Sequence, residues 1–126
     1  PQIYSVLESL SERYKIALAS SSSLNTINTA LDQVDLRKYF TFIVSGEQFK
    51  ESKPNPEIYL HTIKELNVNK DEAIIIEDSS KGILAANRAG IKVLALKDDK
   101  FGLDQSHADI IINELNDIIK LIEKGA

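Results

Sequence analysis

The sequence predicts an α/β fold, a parallel sheet flanked by helices. Short apolar runs bounded by turn residues alternate with segments whose apolar residues recur at helical spacing. The runs are also continuous rather than alternating, the pattern of strands buried on both faces in a parallel sheet. At 126 residues the chain reads as a single domain, residues 1–126, long enough to bury a core without metal or disulfide staples.

Each element follows from a local signal. Ile3, Val6, Leu7 and Leu10 predict an amphipathic helix over 3–14. Lys15-Ile16-Ala17-Leu18-Ala19 reads as a strand that stops at four serines, Ser20 to Ser23. Leu24, Ile27 and Leu31 share one face of a helix over 24–31, and Thr41 to Val44 forms a second strand closed by Ser45-Gly46. Ser52-Lys53-Pro54-Asn55-Pro56 is a stiff loop in which Pro54 keeps Lys53 extended. Asn55 suits a helix N-cap, with Pro56 at the first helical position. The helix over 57–66 turns Ile58, His61 or Thr62, and Leu66 inward. Ala73 to Ile76 is the strongest strand signal, ended abruptly by Glu77-Asp78-Ser79-Ser80. Lys81 to Ala89 is helical, and Gly90 sits where a left-handed C-terminal cap belongs. Strands over 91–96 and 109–112 and a helix over 115–122 complete five strands.

Composition narrows the function. With no Cys there are no disulfides, thiolate metal sites or cysteine nucleophiles, a balance compatible with a cytoplasmic protein. No apolar run approaches the ~20 residues of a membrane span. The net charge of −4, with Arg37-Lys38 as the longest basic cluster, argues against nucleic acid as a partner. One local site can still bind a small phosphorylated metabolite.

In an open parallel sheet that site belongs at the carboxyl ends of the strands. Three places qualify: Ser20 to Ser23, Lys53 in its proline-stiffened loop, and Glu77-Asp78. Hydroxyls and free N–H groups at a strand-to-helix turn can hold phosphate oxygens. A Lys ammonium neutralises phosphate as a compact point charge. Adjacent carboxylates offer hard oxygen ligands to Mg²⁺. Each place also has a plainer reading: a turn and N-cap for the serines, a solvated acidic pair at a helix N-terminus, a solvated lysine. His61 and His107 have no matching partners for a triad or a metal site.

The order of three segments favours the chemical reading. KIALASSSS at 15–23, SKPNPEIY at 52–59 and AIIIEDSSKGILAANRAG at 73–90 together resemble the haloacid dehalogenase-like hydrolase superfamily over nearly the whole chain. The look is closest to its β-phosphoglucomutase-like and sugar-phosphate phosphatase branch. The resemblance implies a Rossmann-like core and a Mg²⁺-dependent phosphatase or phosphomutase working through an aspartyl-phosphate. It implies that Ser20 binds the transferring phosphoryl group with help from the Ser21 backbone, and that Lys53 contacts the phosphoryl group and the nucleophile. It further implies that Asp78 ligates Mg²⁺ with Glu77 assisting, that Gly82 lets a helix start close to the site, and that Ser79 caps that helix. The Glu77-Asp78 pair argues against a dehalogenase, which needs no metal.

The family's first motif, a DxD whose first Asp is the nucleophile, is not in the sequence, and neither is its helical cap. Together with the absence of Met, this predicts a core fragment that lacks the first, central strand of its sheet and has no turnover alone. The gap falls between the strands at 15–19 and 73–76. Those strands pair directly, or a second chain fills the slot by self-association, or residues outside this chain do; an unfilled slot would count against the placement. Two alternatives belong to other classes. One is a non-catalytic truncated paralogue. The other is a flavodoxin-like signalling module, which needs an acidic cluster after its first strand and a phosphorylatable Asp after its third, and neither is evident.

Overall fold

The computed structural model describes residues 2–123, so Pro1 and residues 124–126 of the expected domain lie outside the described residues. The elements run α1 (Gln2–Ser11), β1 (Ala17–Ser20), α2 (Leu24–Val34), β2 (Phe42–Ser45), α3 (Glu57–Leu66), β3 (Ile74–Glu77), α4 (Ser80–Ala89), β4 (Lys92–Leu96), β5 (Ile110–Ile112) and α5 (Asn116–Glu123). Every expected helix and strand is present, with boundaries moved by a few residues. Each strand begins one or two positions later than the apolar run suggests, so Ser20, Ser45 and Glu77 become the last strand residues. That shift seats all three polar side chains at carboxyl ends.

The strands form two parallel sheets. β1 pairs with β2, Ser20 opposite Ser45, and β3 and β5 flank β4. β1 and β3 do not pair, so direct closure of the gap is corrected by the structure. Helix packing joins the two sheets instead. α3 packs on β1, β2 and α4, and α4 packs on β3 and β4. One buried cluster contains Val44 of β2, Ile58 of α3, Ile83 of α4 and Val93 of β4, which makes the two sheets share a core. A second, smaller cluster on α1, β5 and α5 centres on Val6, Ile112 and Ile118.

Burial on both faces of the strands holds for β4, whose Val93, Leu94 and Ala95 are all fully buried. It does not hold for β3 and β5, where Ile76 and Ile111 are 40% and 49% exposed. Both belong to strands at an edge of their sheet, with a neighbour on one side only. Two further expectations change. Leu24 stays half exposed while Ile27 and Leu31 are buried. In α3 the inward residues are Ile58, Tyr59 and Thr62, because the buried stripe turns toward Tyr59 rather than His61.

Side-chain caps end the loops that lead to the site. The Ser23 hydroxyl accepts the Thr26 N–H and caps α2, and the Ser79 hydroxyl accepts the Gly82 N–H at 3.0 Å and caps α4. Asn55 Oδ1 accepts the Glu57 N–H at 2.9 Å at the start of α3, but Pro56 rather than Asn55 holds the N-cap position, one place before the first helical residue. Gly90 closes α4 at φ 74°, a left-handed conformation suited to glycine.

The first turn of α4 lies hard against β3. A β-carbon on Gly82 would overlap the carboxyl group and Cγ of Glu77. In an exposed helix, Gly to Ala stabilises by up to about 1 kcal/mol; here the sign reverses, because the Glu77 carboxylate is pinned and cannot retreat. Gly82→Ala is expected to cost about 1–3 kcal/mol, the range for overpacking, read from urea unfolding midpoints. A stability equal to or above that of the parent chain would disprove this close-approach role.

Candidate functional site

Three of the predicted residues meet at one carboxylate. Glu77, the last residue of β3, has its side chain only 14% exposed, and five donors converge on it. The Lys53 ammonium lies 3.1 Å from Oε2 and the Tyr59 hydroxyl donates to the same oxygen at 3.0 Å. Oε1 accepts the Asp78 N–H at 3.0 Å and the Ser79 N–H and hydroxyl at 3.3 Å. Burial alone pushes the Glu77 carboxyl up. The Lys53 charge and the hydrogen bonds from Asp78, Lys53 and Ser79 outweigh it and hold the group below its ordinary value, so it stays ionised.

Lys53 links the two sheets. Its ammonium, on a side chain 10% exposed, also lies 3.5 Å from the Ala19 carbonyl of β1. It sits 5.1 Å from the centre of the Tyr59 ring, within reach of a cation–π attraction. The stiff loop brings this about: Pro54, Asn55 and Pro56 fix the chain between Lys53 and the start of α3.

Ser20 is next in the chain to Ala19. Its hydroxyl oxygen accepts the Ser22 N–H at 3.1 Å, which orients the turn and leaves the hydroxyl proton free to donate to a ligand. Ser21 is exposed at the same turn. Behind the turn, the buried Ser45 hydroxyl donates to the Ser22 carbonyl at 2.7 Å, and a β-carbon on Gly46 would stand 3.1 Å from the Ser21 Cα. The Ser45-Gly46 pair, read from sequence only as a strand end, thus supports the serine turn.

Asp78 differs from Glu77. Its main chain is engaged at both ends, donating N–H to Glu77 and accepting from Gln105 Nε2 at 2.9 Å, while its carboxylate stands exposed. Partial burial, then the hydrogen bonding and charge of Glu77, and finally the charge of Asp98, push it above its ordinary value. A divalent cation would relieve that repulsion. Glu77, Asp78, Ile76 and Leu96 line an open concavity of about 170 Å³ beside β3. Among the described residues no cluster of three His, Cys, Asp or Glu side chains is placed to hold a metal. A hard cation that keeps waters needs only one or two protein carboxylates, and the exposed Asp78 carboxylate has oxygens free to offer one.

Tyr59 is the site residue that sequence reasoning missed. It lies inside the SKPNPEIY segment, but the helical spacing there turns Ile58, His61 or Thr62, and Leu66 inward and leaves Tyr59 out. Burial, then the Glu77 charge and hydrogen bond, push its phenol up, so it remains a donor. His61 packs against Phe42 and Phe49 at ring separations of 5.9 and 5.4 Å, and His107 is exposed in a loop.

The linkage of Glu77 to stability has a definite sign. Its folded value lies below the ordinary 4.5, so its contribution is complete above about pH 4.5 and is lost as pH falls through the lower folded value. Glu77→Gln is expected to cost about 1–3 kcal/mol at pH 7, with the difference from the parent chain shrinking in urea titrations below pH 4.5. A difference independent of pH would show that the ionised carboxylate is not what matters.

The three segments that build this site lie within the residues that match a known family. Residues 1–96 match the family model described as haloacid dehalogenase-like hydrolase. The chain is 38% identical over 116 residues to a phosphorylated carbohydrates phosphatase of Thermotoga maritima, covering 92% of this chain and 47% of that protein. It is 32% identical to a phosphoglycolate phosphatase of Aquifex aeolicus, covering 98% of this chain and 58% of that protein. Among solved structures, a β-phosphoglucomutase of Clostridium difficile superposes with a TM-score of 0.82 at 34% identity, over 98% of this chain and 54% of that one. The chain thus spans about half the length of the relatives it matches. An unfilled slot between β1 and β3 taken alone counts against the placement of the motifs; a family match across 96 of 126 residues outweighs it. The chain belongs to the haloacid dehalogenase-like hydrolase family.

Proposed function

We propose that this chain forms the phosphate- and cation-holding part of a cytoplasmic phosphatase or phosphomutase that acts on a small phosphorylated metabolite such as a sugar phosphate. One observation carries the reading: the Lys53 ammonium stands between the ends of β1 and β3, 3.5 Å from the Ala19 carbonyl and 3.1 Å from Glu77. A phosphoryl group held beside it would meet the free Ser20 proton, exposed main chain at Ser21 and the Asp78 carboxylate. The names of the relatives, two phosphatases and a phosphoglucomutase, support the substrate class.

In this reading each residue has a separate task. Ser20 and the Ser21 backbone bind and orient phosphoryl oxygens. Lys53 offsets their charge, and Glu77 with Tyr59 holds Lys53 on station. Asp78 ligates Mg²⁺ with Glu77 fixing its main chain; the bound ion supplies positive charge next to the phosphoryl oxygens. Covalent catalysis needs a nucleophile, and neither Asp32, Asp35 nor the Asp98-Asp99 pair can serve. Asp32 and Asp35 lie at the far end of α2, and the Asp98 carboxylate is bound to the N–H groups of Lys100, Phe101 and Leu103. We place the nucleophilic Asp outside these 126 residues, on a strand that fills the slot between β1 and β3; self-association through that slot is the competing way to fill it.

Two measurements test this. The 126-residue chain is expected to show no sugar-phosphate hydrolysis or phosphoryl transfer with Mg²⁺ present. Turnover that is lost on Asp78→Ala would sink the placement of the nucleophile. Inorganic phosphate, titrated against the chain and followed by amide chemical shifts, is expected to perturb Ser20 to Ser22. Lys53→Met should weaken that binding about tenfold or more, the loss of one charge-assisted hydrogen bond. An unchanged affinity would remove Lys53 from the phosphate site.

A further inference from the structure

Gln105 is, among the described residues, one of three buried polar residues outside any catalytic assignment, 7% exposed in a loop where the other residues from 99 to 107 are exposed. Its amide makes three hydrogen bonds. Nε2 donates to the Asp78 carbonyl at 2.9 Å and to the Leu96 carbonyl at 2.8 Å, and Oε1 accepts the Asp98 N–H at 3.0 Å. Those partners lie just past the end of β3, at the end of β4, and at the start of the loop that follows β4. One side chain therefore fixes the main chain of two acidic residues just beyond the ends of neighbouring strands.

The loop is organised around the same point. The Asp98 carboxylate accepts the N–H groups of Lys100 and Phe101 on one oxygen and of Leu103 on the other, at 2.7 to 3.1 Å. That wraps residues 98–103 into a closed turn, and Gln105, two residues on, fastens the turn to Asp78. No ladder bond reaches Asp78, since the pairing of β3 with β4 ends at Glu77 opposite Ala95. The Asp78 carbonyl accepts the Gln105 amide instead, beside the concavity that Asp78 lines with Ile76 and Leu96.

We infer that Gln105 is a positioning residue of the cation site: its amide clamps the Asp78 carbonyl and the Asp98 N–H together, and so sets where the Asp78 carboxylate points. The inference rests on the reading of Asp78 as the cation ligand. Removing a group that orients a metal ligand costs about 10- to 100-fold in metal affinity, whereas a glutamine that only fills a loop would change stability and leave affinity alone.

Mn²⁺, a paramagnetic stand-in for Mg²⁺, reads even sparse occupancy through broadening of nearby amide signals. Titration of the 126-residue chain with Mn²⁺, with Mg²⁺ as competitor, should broaden Asp78 to Ser80 and Lys97 to Asp99, and Asp78→Asn should abolish that effect. Gln105→Met, of similar size but without the amide, is expected to weaken the Asp78-dependent response about tenfold or more. Gln105→Asn keeps the amide one methylene short and so guards against a variant that fails to fold; it should weaken the response as well, with the remaining amide spectrum native. Wild-type affinity in a folded Gln105 variant would overturn the positioning role while leaving the reading of Asp78 intact. Broadening in the parent chain that survives Asp78→Asn would overturn the reading, and the inference with it.

Discussion

The Glu77 carboxylate is the point through which the rest of the structure is connected. It ends β3, accepts the tyrosine of α3, receives the lysine of the proline loop, and bonds the N–H groups that open α4. A partly buried carboxylate with fewer donors would be pushed toward neutrality. Five donors keep it charged, and the charge in turn keeps Lys53 where both sheets end. Gly82 belongs to the same constraint, because the space that carboxylate occupies is the space a side chain on α4 would need.

A division of labour between the two acidic residues follows. Adjacent in sequence, Glu77 and Asp78 look interchangeable. Strand geometry separates them: successive side chains leave opposite faces of a strand, so one turns into the packed helices and the other out to solvent. The inward residue becomes a structural anion and the outward one keeps an exposed carboxylate. The same alternation leaves Ile76 exposed beside Asp78 while Ile75 joins the core.

Much of this was legible in the sequence, because the signals are local. Apolar runs and caps at Ser23, Asn55, Ser79 and Gly90 place the elements, and the serine turn, Lys53 and Glu77-Asp78 fall at the carboxyl ends that a parallel sheet makes available. What escaped is long-range and made of ordinary residues. Tyr59 falls outside the inward positions that helical spacing gives, until its hydroxyl is seen to meet Glu77, 18 residues away. Gln105 reads as loop until its amide is seen to reach Asp78, 27 residues away. Ser45 reads as a turn until it is found buried behind the serine loop. Spacing along a chain reports which face a residue takes, but not which distant partner waits on that face. The exposure of Ile76 and Ile111 was missed for a related reason: an apolar run does not say whether its strand lies inside a sheet or at its edge.

Because α3 and α4, rather than a hydrogen-bonded ladder, hold the two sheets together, the spacing between the Ser20 hydroxyl and the Asp78 carboxylate is set by how closely two helices approach. In α4, Ala85, Ala86 and Ala89 are all fully buried in the core that the two sheets share. Side chains of a single carbon let the helices close to near contact and leave little slack for sliding. The gauge of the site is thus kept by residues that carry no chemistry, and a methyl group added to that core would be felt at the ends of β1 and β3 as a change of distance between them.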